Sequence, residues 1–162
     1  MGKTLEVGDK APTFKTKDQD GKTVSLSDFK GKKLVLYFYP KDDTPGCTLE
    51  ACAFRDDVSK YRRAGAEVVG VSFDAPSSHT KFRAKYALPF TLISDEERKV
   101  AEAYGVYVEK NLYGKKTMGI RRSTFLIDAR GRIAAIFPKV KPQGHSEEVL
   151  AALRRIRAGV TR

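Results

Sequence analysis

The stretch Leu34-Val35-Leu36-Tyr37-Phe38-Tyr39 constrains this chain most. It is apolar or aromatic at every position, and Gly31 and Pro40 bound it. A run that short, with no polar alternation, reads as a strand buried on both faces, which requires cover on each side. Around it, Glu67 to Phe73 reads as a second buried strand and Phe90 to Ile93 as a third. Between and after them, helical spacing covers Cys47 to Ala64, Pro76 to Leu88 and Asp95 to Tyr104, the last capped by Ser94.

Alternation of this kind implies parallel strands joined by right-handed crossovers. Residues Ala11 to Leu26 alternate about the turn Asp20-Gly21 and read as an N-terminal hairpin capping that end of the domain. Thr124 to Asp128 and Ile133 to Phe137 flank Ala129-Arg130-Gly131 as an antiparallel pair, and a last helix runs from Ser146 to Ile156. The expectation is an α/β fold: a thioredoxin-like three-layer α/β/α sandwich with an extra N-terminal β-hairpin. With 162 residues it forms one domain spanning 1–162.

The first ten residues hold no signal-peptide core, and nowhere do eighteen apolar residues run together. The expectation is a cytoplasmic protein that engages no membrane. Net charge is +11, and the excess is C-terminal: residues 110–162 hold 13 Lys or Arg against 3 acids, residues 1–109 hold 18 against 17. A basic bias of this kind suits a solvated face or an anionic partner, but the cations follow no recognised nucleic-acid motif, so no specific nucleic acid is expected.

Two cysteines do not make a disulfide framework, and they sit together in YPKDDTPGCTLEAC. Cys47 falls where a loop becomes a helix, near the positive end of the helix dipole and its unpaired N–H groups, an environment that favours thiolate. Thr44 can set a hydroxyl beside the sulfur, and Pro40 can shield the pocket. Each also has a plainer reading, Thr44 as a cap and Pro40 as a strand stop. Cys52, five residues on, is displaced by about 7.5 Å along an intact helix and turned about 140° from Cys47. That is too far for a disulfide, so an internal bridge requires the first turns to unwind; alternatively Cys52 is a core residue. The C-x4-C spacing differs from the C-x-x-C of redox thioredoxins, and His79 and His145 are too few and too separated for a metal site.

Pro40, Thr44 and Cys47 fit the P-x-x-x-T-x-x-C signature of peroxiredoxins, and the longer string resembles the peroxiredoxin Q, or bacterioferritin-comigratory-protein, subgroup. The likeness runs from Val7-Gly8-Asp9-Lys10-Ala11-Pro12 through Leu88-Pro89-Phe90 and Ser94-Asp95 to Arg122-Ser123-Thr124-Phe125-Leu126-Ile127-Asp128. The resemblance implies a thiol peroxidase acting on hydrogen peroxide and organic hydroperoxides. Cys47 is then the peroxidatic residue, Pro40 and Thr44 shape its pocket, and Arg122 rather than Arg121 steadies thiolate and peroxide. Cys52 is the resolving partner in an intramolecular disulfide, and thioredoxin or a similar dithiol is the electron donor. No metal, haem or flavin is called for, and the expected state is a monomer or weak homodimer, with the choice between them left open. A general thiol–disulfide oxidoreductase, a redox sensor and a basic nucleic-acid-binding module are the competing readings.

Overall fold

The computed structural model describes residues 4–156. In chain order its elements are β1 (Lys15–Asp18), β2 (Thr23–Ser25), β3 (Lys33–Phe38), α1 (Pro45–Arg63), β4 (Ala66–Ser72), α2 (Pro76–Tyr86) and β5 (Thr91–Ser94). Then follow α3 (Lys99–Ala103), β6 (Tyr107–Leu112), β7 (Lys115–Ile120), β8 (Ser123–Ile127), β9 (Ile133–Phe137) and α4 (His145–Arg154).

Seven strands form one sheet in the order β2-β1-β5-β4-β3-β8-β9. The central strand β3 is buried at all six positions and pairs in parallel with β4 and antiparallel with β8. Its side chains alternate between two cores: Leu34, Leu36 and Phe38 join one, Val35 and Tyr37 the other. The crossovers β3-α1-β4 and β4-α2-β5 step in the same direction across the sheet, so right-handedness puts both helices on one face. There Phe54 and Tyr61 of α1, Phe82 of α2, and Val149, Leu150 and Leu153 of α4 close over Val35, Tyr37 and Leu126. The opposite face is covered by α3, through Val100 and Ala101, and by Phe14, Val24, Tyr104 and Val106. The three layers and the thioredoxin-like order thus follow from where the apolar strands lie in the chain.

Lys33 begins β3 yet is buried, because its ammonium donates to the Ala64 carbonyl at 3.2 Å and the Ile156 carbonyl at 3.1 Å. It thereby ties the C-terminal ends of α1 and α4 to the sheet, where helix dipoles favour a cation.

Three expectations need correction. The N-terminal hairpin does not cap an end: β1 pairs antiparallel with β5 and extends the sheet sideways. The third helix is only Lys99–Ala103, and Ser94 belongs to β5. Its N–H groups at Val100 and Ala101 are met instead by the Asp95 carboxylate, at 3.1 and 2.8 Å, across a turn in which Arg98 takes a left-handed φ of 64°. The capping chemistry was of the expected kind but came from the next residue. The β6–β7 hairpin was not anticipated; its lysine-rich strands lack the apolar alternation that marks a half-buried strand.

Candidate active site

Helix α1 begins at Pro45, whose fixed φ and missing N–H suit the first helical position. Cys47 is therefore the third residue of the helix. The first intrahelical bond is Thr48 N–H to the Thr44 carbonyl at 2.8 Å, so the N–H groups of Gly46 and Cys47 have no acceptor within the helix. They form a donor cluster at the positive helix end, next to a thiol that is 1% exposed.

Arg122, immediately before β8, completes the cluster. Its Nη2 donates to Cys47 Sγ at 3.4 Å and its Nη1 to Glu50 Oε1 at 2.7 Å. The close approach depends on Gly46, since a Cβ there would lie 3.2 Å from Nη2. Arg121 makes no such contact: its backbone N–H joins the Val106 carbonyl at 2.8 Å, and its buried Nε has no hydrogen-bond partner among the described residues.

Glu50 is a residue of this cluster that sequence reading passed over, though its position three residues after Cys47 sets both on one helix face. It is 1% exposed, and burial pushes its carboxyl up to about 7 against the opposing pull of Arg122. Glu50 Oε2 and the Tyr37 hydroxyl, both buried, have no hydrogen-bond partner among the described residues. Burial, then the charges of Glu50 and Cys47, hold Tyr37 well above its ordinary range, so it stays a neutral phenol facing this pocket.

Thr44 precedes α1 in extended conformation, and its hydroxyl donates to the Lys41 carbonyl at 2.9 Å rather than capping the helix. Its proton is spent there, leaving the oxygen as an acceptor only. The tight loop behind it is pinned through Asp42, which accepts from the Tyr39 hydroxyl at 2.6 Å, the Ser78 hydroxyl at 2.8 Å and lies 2.7 Å from His79 Nδ1. Asp43 takes a φ of 57° and is held by Lys85 and Tyr86, each at 2.8 Å. Pro40, half-buried, ends β3 ahead of this loop.

Cys47, Arg122 and Glu50 are thus brought together, with Thr44 at the residue just before the helix that carries Cys47 and Glu50. Cys52 stands apart: both cysteines are free, and α1 runs unbroken through them with Cys52 half-buried. Asp42, Asp74 and His79 gather potential ligand atoms within 4.8 Å, but both His79 ring nitrogens are engaged, the second 3.0 Å from the Ile93 carbonyl.

Residues 7–136 match the AhpC/TSA family. The chain belongs to this family of peroxiredoxins. It is 55% identical over 150 residues to the Bcp peroxiredoxin of Coxiella burnetii, covering 93% of this chain and 99% of that one. It is 51% identical to peroxiredoxin Bcp of Bacillus subtilis over 151 residues, covering 93% and 96%. Peroxiredoxin Q of Xanthomonas campestris superposes with a TM-score of 0.84 at 42% identity, covering 88% of this chain and 90% of that one. This peroxiredoxin is accordingly a thiol peroxidase, an enzyme that takes peroxide substrates and draws its electrons from a thiol reductant. No helix among the described residues is long and apolar enough to cross a membrane.

Proposed function

We propose that Cys47 is the nucleophile and that Cys52 resolves its oxidised form. The observation that carries this reading is the 3.4 Å contact between Arg122 Nη2 and Cys47 Sγ at the start of α1. A sulfur in that position faces a fixed cation and free helix amides, which stabilise negative charge both on it and on a departing oxygen.

The Cys47 thiolate attacks the terminal hydroxyl oxygen of a hydroperoxide in line with the O–O bond. The S–O bond forms, the O–O bond breaks, and the leaving alkoxide or hydroxide takes a proton to become alcohol or water. Thr44 Oγ1, free to accept, holds the peroxide O–H, while Arg122 and the Gly46 and Cys47 amides receive the developing charge. Pro40 restricts water entry behind the substrate. Glu50 fixes the guanidinium on its far side.

Cys47 is then a sulfenic acid. Attack by the Cys52 thiolate expels hydroxide, which leaves as water, and forms the Cys47–Cys52 disulfide. Because both residues lie in one continuous helix, the first two turns of α1 must open for this step. An external dithiol, thioredoxin or a similar protein, returns two electrons and two protons. All four reacting or charge-stabilising side chains come from a single chain, which supports action as a monomer or weak homodimer, and the need for a dithiol pool suits a cytoplasmic enzyme.

The test is consumption of hydrogen peroxide and an organic hydroperoxide by wild type, Cys47→Ser and Cys52→Ser with thioredoxin and its reductase. Cys47→Ser should be inactive, and Cys52→Ser should react once without recycling through an internal disulfide. Full turnover by Cys47→Ser would sink the assignment.

A further inference from the structure

The β6–β7 hairpin shares no strand with the seven-stranded sheet. It leaves the body at Val106 and returns at Arg121, so its base adjoins Arg122 while its tip projects away. Opposed residues of an antiparallel ladder share a face, which sets Val108, Lys110 and Leu112 beside Gly119, Thr117 and Lys115. Lys110 lies back across the bare Gly119, where a Cβ would come 3.4 Å from its Cδ, so its stem runs toward the hairpin base. Its ammonium falls within electrostatic reach of Arg122 and Cys47. This face therefore borders the thiol.

Three of the five large exposed hydrophobics among the described residues lie on this one hairpin: Leu112 on that face, Tyr113 at the tip and Met118 on the other face. Clustering of this kind marks an interaction surface, whereas single exposed hydrophobics do not. Tyr113 at the tip is fully exposed and takes a φ of 53°, followed by Gly114 at 80°. Two successive left-handed residues make the turn that Asn-Gly favours, and a tyrosine there is strained. Lys110 and Lys115 share the Leu112 face and Lys116 the Met118 face, and none of the three forms an ion pair among the described residues.

We propose that this hairpin is the docking surface for the protein that reduces the Cys47–Cys52 disulfide, and that this partner is an acidic dithiol protein. The inference rests on the recycling step of the proposed function. Charge selects the occupant: a hairpin whose exposed apolar residues alternate with unpaired lysines, on a chain of net charge +11, repels a second copy and attracts an acidic protein.

The experiment compares wild type, Tyr113→Asn and the double variant Lys115→Glu/Lys116→Glu, with either an acidic thioredoxin plus its reductase or dithiothreitol as donor. Asn suits the turn, so Tyr113→Asn removes the ring without breaking the hairpin. The KM for thioredoxin should rise at least fivefold in each variant, and the charge variant should lose its salt dependence. Dithiothreitol-driven turnover and the single-turnover rate with hydrogen peroxide should stay within twofold of wild type.

An unchanged KM overturns the proposal. So does a parallel fall with dithiothreitol, which would place the effect in the active site, or a change in sedimenting mass, which would assign the patch to a second copy. Loss of DNA retention with KM unchanged would assign it to nucleic acid. If wild type turns over with dithiothreitol but takes nothing from thioredoxin, the donor reading beneath the proposal is what fails.

Discussion

Glu50 and Arg122 form a buried ion pair, Oε1 to Nη1 at 2.7 Å, and the same guanidinium turns its other terminal nitrogen to the Cys47 sulfur. One cation thus serves two partners. The carboxyl keeps the guanidinium in place, and the guanidinium works against the burial that pushes the carboxyl up to about 7.

Burial of this pair makes stability depend on pH in a particular direction. Burial raises the Glu50 carboxyl from 4.5 to about 7, so between these values the unfolded chain has released a proton that the folded chain retains. The stabilising contribution is complete below 4.5 and is lost as pH rises through 7, about 3 kcal/mol in all. Urea unfolding of wild type and Glu50→Gln at pH 4.5 and pH 8 should show the variant gaining on wild type by about that amount. A constant difference across the range would contradict it.

Gly46 trades helix stability for the Arg122 approach. Gly46→Ala should add up to about 1 kcal/mol of helix propensity. Its Cβ, 3.2 Å from Nη2, displaces the guanidinium by a few tenths of an ångström, which should slow reaction with hydrogen peroxide by about threefold to tenfold. Stopped-flow kinetics and a thermal melt together check it; a faster or equal reaction would show that Arg122 has room to spare.

Oxidation should cost helix. Treating wild type with one equivalent of peroxide should reduce ellipticity at 222 nm by about two turns of helix, with faster amide exchange across residues 45–52, and thioredoxin should reverse it. Cys52→Ser, which cannot form the internal bridge, should keep its helical signal. A disulfide form with α1 intact would refute the opening step.

The loop ahead of Cys47 hangs on a buried contact. His79→Ala should leave the Asp42 carboxylate without its ring partner and open a cavity beneath Tyr39, lowering stability by at least about 3 kcal/mol. Chemical denaturation measures this directly. A loss below 1 kcal/mol would mean that the Tyr39 and Ser78 hydroxyls suffice.

The order of strands and helices was legible because burial on both faces writes itself into Leu34 to Tyr39 and Glu67 to Phe73 as unbroken apolar runs. The loop-to-helix position of Cys47 was legible for a similar local reason: Pro45 and Gly46 punctuate the chain. The β6–β7 hairpin was not, since its lysine-rich strands carry apolar residues in no clean alternation and make little demand for a core. Nor was the short α3, whose Asp95 cap works across a turn that only the left-handed Arg98 permits.

The sequence by itself determined that a thiol would stand at a helix start beside buried parallel strands, because local propensity and hydrophobic periodicity act over a few residues. The tertiary structure decided which charges meet that thiol. Arg122 lies 75 residues from Cys47, and its choice over Arg121 depends on the register of β8 against β3 and on the missing side chain at Gly46. So does the raised Glu50 carboxyl, since desolvation is a property of the closed pocket and not of any segment of chain.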